Sequence, residues 1–230
     1  MLQILRSNER GHSQLSWLNS YHSFSFADFY DPQKMGISVL RVLNEDVLAP
    51  GGGFAMHSHR DMEIITVMLA GELEHKDSLG NISRLRAGEI QIMSAGTGIR
   101  HSEYNASMEE PLHLLQIWIK PNQLGLPPRH QQQRLGMEQG NQLLVSPEGA
   151  GDSLKVFQNL QLYRMVHPGG TLQLPELKEG LGYLHLIGGS LKLEQETLET
   201  GDALIIQDTR PRLQVVETLD ALLFDLPTRH

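Results

Sequence analysis

Four side chains in this sequence have the types and spacing that bind a metal. His57 and His59 form one pair, His101 and Glu103 another, each with a single residue between its members. Successive side chains of a β-strand point to opposite faces, so residues at i and i+2 look the same way. If the two strands are neighbours in a small barrel, three imidazoles and one carboxylate converge on its interior. That donor set suits a borderline divalent metal. One HxH triplet is weak evidence in a chain with 11 histidines among 230 residues, because surface or hydrogen-bonded imidazoles produce it as readily. The framing gives the pattern its weight. Gly51-Gly52-Gly53 precedes the first pair, and the apolar Ile64, Ile65, Val67, Met68 and Leu69 follow it into Gly71; the second pair lies behind a strand bracketed by Gly88 and Gly96.

The elements that must position these residues read as short strands. Residues 38–44 and 54–56 flank the break Pro50-Gly51-Gly52-Gly53, whose bare backbone permits tight turning. Residues 64–69 form a buried strand, which continues as 72–76 past Gly71 and ends in the turn residues Asp77-Ser78-Leu79-Gly80-Asn81. His75 beside that turn reads as an ordinary strand residue. Residues 89–93 and 112–119 complete an all-β pattern, so a sandwich or barrel is expected. His113 and Gln116 are three positions apart and face opposite sides of the last strand; Gln116 is the pocket candidate, because Ile117 and Ile119 share the other face with His113. The aromatic stretch from Tyr21 to Tyr30 alternates in a way that predicts an extended segment with one buried face.

Composition narrows the function classes. A formal charge of −8 argues against a general nucleic-acid or anionic-membrane surface, so neither partner is expected. The absence of cysteine excludes disulfides, thiolate-bound zinc, iron–sulfur clusters and thiol catalysis. Charges interrupt the first ten residues too early for a signal peptide, and no apolar run approaches spanning length. A cytoplasmic location is expected.

Residues 1–122 are expected to form the metal-binding domain, 123–141 a linker rich in Pro127-Pro128 and the polar run Arg129 to Arg134, with a solvent-exposed His130, and 142–230 a second domain. The second half overlays on the first. Pro168-Gly169-Gly170 falls on Pro50-Gly51-Gly52, and Gly201-Asp202-Ala203-Leu204-Ile205 on Gly88-Glu89-Ile90-Gln91-Ile92. In that register Pro175 stands for His57, Leu177 for His59, Gln214 for His101 and Val216 for Glu103. The repeat keeps the barrel grammar and loses every ligand, so His167 and His185 read as structural.

The pattern G(x5)HxH(x3)E(x7)G, then G(x5)SxG(x4)HxE with Asn105, resembles the two cupin motifs. Narrower matches lie in Tyr21-His22-Ser23-Phe24-Ser25-Phe26, Leu40-Arg41-Val42-Leu43-Asn44-Glu45-Asp46, His57-Ser58-His59-Arg60-Asp61-Met62-Glu63 and Met93-Ser94-Ala95-Gly96-Thr97-Gly98-Ile99-Arg100-His101-Ser102-Glu103. Together they resemble the pirin family, and more closely the bacterial pirin-like quercetin 2,3-dioxygenases. The resemblance implies a bicupin of two jelly-roll barrels with one metal site, in the N-terminal one. It implies that His57, His59, His101 and Glu103 are the ligands, that Glu63 at the usual cupin position is not, and that His22 reaches the pocket, beside the Gln116 that strand alternation points there. Iron(II) is the implied ion, and zinc, copper, manganese, nickel or cobalt fit the same donors. The implied reaction opens the ring of a flavonol such as quercetin with dioxygen and releases carbon monoxide, with Glu103 assisting removal of the hydroxyl proton. Two other classes fit the same resemblance: a metal- or redox-responsive regulator acting through protein contacts, and a cupin that binds or isomerises a small molecule without an oxygen step.

Overall fold

The computed structural model describes residues 1–136 and 139–228; positions 137–138 of the expected linker and 229–230 of the expected second domain lie outside the described residues. Among the described residues there is no α-helix, only β-strands and the 3-10 turn Ser7–Glu9. The chain divides into two units, residues 11–135 with 156–158, and the described parts of 1–10, 136–155 and 159–230.

The first strand, β1 (Leu2–Leu5), belongs to the second unit. The ligand-bearing unit contains β2 (Gly11–Gln14), β3 (Leu18–His22), β4 (Leu40–Leu48), β5 (Gly53–His59), β6 (Glu63–Ala70), β7 (Glu72–Asp77), β8 (Ile82–Arg86), β9 (Glu89–Ser94), β10 (Ile99–Asn105), β11 (Leu112–Ile119) and β12 (Arg129–Arg134). They form a seven-stranded sheet in the order β12-β9-β6-β11-β4-β3-β2 and a four-stranded sheet in the order β5-β10-β7-β8. β6 lies inside the sheet between β9 and β11, and its successive residues from Glu63 to Met68 are buried on both faces, which explains its continuous apolar run. Leu48, Met68, Leu73, Leu85, Leu112 and Leu114 pack into one core cluster with Trp17 and Phe54 against it. Each such side chain, taken fully out of water, contributes about 1.5–3 kcal/mol. The turn after β7 is set by Asp77, whose Oδ1 accepts from the backbone N–H of Leu79 at 2.9 Å and of Asn81 at 3.1 Å.

The second unit adds β13 (Gly140–Ser146), β14 (Leu154–Lys155), β15 (Gln161–Leu172), β16 (Gly180–Leu193), β17 (Glu196–Leu198), β18 (Ala203–Gln207) and β19 (Leu213–Pro227). Its sheet runs β1-β18-β16-β19-β15-β13-β14, with β17 on β16. Leucines of β16, β18 and β19, among them Leu184, Leu186, Leu204 and Leu223, fill its core. The all-β, two-barrel expectation therefore holds.

The boundaries differ from those read off composition. Within the span expected as a linker, Arg129–Arg134 is a strand paired along its whole length with β9, from Arg129 opposite Ser94 to Arg134 opposite Glu89. Its polar residues misled because an edge strand needs no apolar run. Residues 2–5 pair with β18 of the second unit, Leu2 opposite Ile206 and Leu5 opposite Ala203. Residues 156–158 belong to the first unit, where the backbone N–H of Phe157 donates to Glu63 Oε2 at 3.3 Å.

Candidate metal centre

β5 and β10 are antiparallel neighbours, with His57 directly opposite His101 and His59 opposite Ile99. The register slips between His101 and Glu103, so that Glu103 pairs with Phe54 and β5 carries one extra residue. This bulge is of the kind that re-aims side chains near sites. The imidazole rings of His57, His59 and His101 have centroids 4.5 to 4.9 Å apart. One ring nitrogen from each lies within 4.8 Å of the others.

His57 Nδ1 donates to the carbonyl of Ala55 at 2.8 Å, which fixes the tautomer and leaves Nε2 bare toward the group. His57 Nε2 and His101 Nε2 are 3.1 Å apart. Two ligands each about 2.1 Å from one ion at a right angle stand roughly 3 Å apart, so this pair fits a shared cation. Burial, reinforced by the charge of His57, lowers the pKa of His59 to about 4. For His101, burial followed by repulsion from His57 and His59 lowers it to about 2. Both rings therefore stay neutral and keep lone pairs for a metal.

Glu103 is 2 % exposed and lies on the wall of the same cavity, but the three-imidazole group closes without it; its oxygen falls instead within 4.8 Å of nitrogens of His101 and His75. Gln116 donates to Oε2 at 2.8 Å, and Gln91 donates to Oε1 at 3.2 Å. Burial, with Asp46 nearby, pushes the Glu103 carboxyl up to about 7 against the pull of these donors. Asp46, buried and bonded by the Ser20 hydroxyl, is itself pushed up to about 6 by burial.

The cavity beside these groups holds about 260 Å³, walled by Trp17, Phe26, Phe54, Ile64 and Trp118 and by the polar His22, Asn44, Asp46 and Gln116. An apolar slot with a few aimed polar groups has the form that receives a small molecule. His22 is on this wall and not a ligand of the imidazole group: its Nδ1 donates to Asn44 Oδ1 at 2.9 Å while its Nε2 accepts from Ser13 Oγ at 2.8 Å. Gln116 lines the cavity, and His113 turns away to Glu45, at 3.1 Å. Glu63 accepts from Ser94 Oγ at 2.9 Å and belongs to no metal-capable group among the described residues.

The chain is 45% identical to a quercetin 2,3-dioxygenase of Escherichia coli strain K12 over 229 residues, 99% of each chain. Residues 5–119 match the Pirin family model. The chain belongs to the pirin family. Residues 143–226 of this pirin match the model described as the quercetinase C-terminal cupin domain. Its fold is similar to the crystal structure of YhhW from E. coli, with a TM-score of 0.93, 45% identity and full coverage of both chains. It is equally similar to bacterial pirin YhhW in complex with nickel(II), with a TM-score of 0.92, 45% identity and 99% of each chain covered.

Two residues of this pirin escaped the sequence reading. His75 is fully buried, its ring centroid 5.3 Å from that of His101. His130 is half-buried on β12, stacks on His75 at 4.8 Å and donates to Gln91 Oε1 at 3.2 Å, so it is no exposed linker residue. The one available signal for His75 was its i, i+2 spacing to Asp77 on a strand, and nothing marked β12 as part of the barrel.

Proposed function

We propose that this pirin is a metal-dependent dioxygenase that opens the ring of a flavonol such as quercetin, with dioxygen consumed and carbon monoxide released. The observation that carries the reading is the meeting of three imidazoles and one buried, raised carboxyl on the wall of an apolar cavity. Full-length identity to a quercetin 2,3-dioxygenase supports it. In this reading His57, His59 and His101 hold a divalent ion, with Glu103 as the carboxylate ligand. Iron(II) is the ion we favour, and nickel(II), found with YhhW, fits the same donors. When bound, the ion supplies Lewis acidity at the flavonol oxygens and a redox partner for dioxygen.

The chain's own residues do the rest. Trp118 and Phe26, edge to face at 5.5 Å, together with Trp17 and Phe54, receive a planar aromatic and exclude water from it. Gln116 and Gln91 hold the Glu103 carboxylate in one orientation. Held in this way, the Glu103 carboxylate faces the cavity as the group that accepts the flavonol 3-hydroxyl proton. The reading places this chemistry in the cytoplasm, which fractionation of the host tests.

The deciding experiment is oxygen uptake and carbon monoxide release with quercetin, using protein reconstituted anaerobically with iron(II). Both signals should appear and should be lost in His59→Ala. An iron-loaded protein that binds flavonols and turns none over would replace the enzyme with a binding module.

A further inference from the structure

β7 pairs with β10 so that Asp77 lies opposite His101 and His75 lies opposite Glu103. Directly opposed residues of an antiparallel pair share a face, so these four side chains form two rungs of ligand-type groups on one side of the sheet. His75, His101 and Glu103 are all buried, at 0, 1 and 2 % exposure. One ligand atom of each lies within 4.8 Å of the other two.

A second observation points to an occupant. His75 Nε2 sits 3.4 Å from Asp77 Oδ2, so the ring N–H faces that carboxylate. Its Nδ1 is left buried without a hydrogen-bond partner, and so is His101 Nδ1. A neutral ring that donates one nitrogen to a carboxylate and presents the other bare is how metal-ligating histidines are oriented. Glu103 Oε1 receives Gln91 at 3.2 Å and the Thr66 hydroxyl at 3.5 Å, whereas Oε2 receives Gln116 alone; a carboxylate oxygen accepts two, so a lone pair of Oε2 remains for a cation. Among the described residues no group donates to these nitrogens. His130 stacks face-on upon His75 and sends its Nε2 hydrogen to Gln91.

We propose that His75, His101 and Glu103 form a second position for a divalent transition-metal ion, with Asp77 orienting His75. Two imidazoles and a carboxylate suit cobalt(II), nickel(II), copper(II) or zinc(II). Because His101 belongs to both positions, one ion occupies them alternately. His57 and His59, the less buried ligands, are released when the ion moves to the inner position, and the barrel keeps its metal while they are disengaged. The alternation rests on the outer metal position proposed above, but the inner position does not, and its test reads bound metal and not turnover.

The test uses the full-length double variant His57→Ala/His59→Ala, incubated with cobalt(II), desalted, and assayed by elemental analysis and visible absorption. It should retain stoichiometric cobalt, which adding His75→Gln should remove, whereas the His75→Gln single variant keeps cobalt through the outer histidines. Circular dichroism melts show that each variant is folded. Should the triple variant fail to fold, anomalous scattering at the cobalt edge from crystals of the double variant decides: a peak at bonding distance from His75 and Glu103 supports the position. A double variant free of cobalt, cobalt retained equally after His75→Gln, or an anomalous map without that peak overturns it.

Discussion

Gln116 Nε2 donates to Glu103 Oε2 across 2.8 Å, and this bond joins the seven-stranded sheet to the four-stranded one at a buried carboxyl. Gln91 of β9 and Thr66 of β6 reach the same carboxyl from the same large sheet. The barrel holds Glu103 from three strands at once.

A donor to a carboxylate favours its charged form, so Gln116→Leu should raise the Glu103 pKa further above about 7. A hydrogen bond to a charged group is worth about 1.5–3 kcal/mol, which corresponds to roughly one to two pKa units. Carbon-13 NMR titration of the metal-free protein reads this directly. An unmoved titration would remove Gln116 from the account.

Glu103 competes with itself as ligand and acid. If it binds the ion, its proton must leave, so below about pH 7 the metal affinity of the wild type should rise roughly tenfold per pH unit. Glu103→Gln should lose that slope while retaining weak binding through the three imidazoles. Isothermal titration with nickel(II) at several pH values distinguishes a ligating Glu103 from a bystander.

Stability of the metal-free protein should depend on pH in two opposed ways. Glu103 and Asp46, raised from 4.5 to about 7 and from 3.8 to about 6, keep protons in the folded state that the unfolded chain has already released. They therefore remove stability as pH rises through that window. His59 and His101, lowered from 6.5 to about 4 and about 2, are protonated first in the unfolded chain and remove stability as pH falls below 6.5. In melting curves between about pH 4 and pH 8, Asp46→Asn should flatten the loss on the alkaline side and His101→Gln the loss on the acid side. Equal slopes in wild type and variants would contradict the burial of these groups.

Trp118 stands edge-on to the His59 ring at 4.9 Å and to Phe26 at 5.5 Å. Trp118→Ala should raise KM for a flavonol about tenfold, the loss of roughly 1.4 kcal/mol of aromatic contact, with a smaller effect on kcat. Steady-state kinetics at fixed metal occupancy separates the two; a change confined to kcat would place Trp118 outside the substrate slot.

Gly53 begins β5 where it crosses β10, and a Cβ there would lie 2.4 Å from the backbone oxygen of Glu103. Gly53→Ala must push apart the two strands that carry all four expected ligands. A loss of about 1–3 kcal/mol in denaturant unfolding should be accompanied by weaker nickel(II) binding. Unchanged affinity in a destabilised variant would show the site to be insulated from that contact.

Much of this protein was decided by local order along the chain. Alternating HxH and HxE placed each pair on one strand face, glycine punctuation announced short strands, and the repeat without ligand residues at the matching positions announced a second barrel without ligands. These follow from the two-residue period of a strand, which acts between near neighbours. Other features depend on which distant strands meet. Pairing of Glu103 with His75, the bulge opposite it, the recruitment of Arg129–Arg134 to the sheet edge and the pairing of Leu2–Leu5 with β18 are set by backbone hydrogen bonds between segments far apart in sequence. A polar edge strand looks like a linker until its partner is known, because the bonds that hold it there use the backbone and leave no mark on side-chain type.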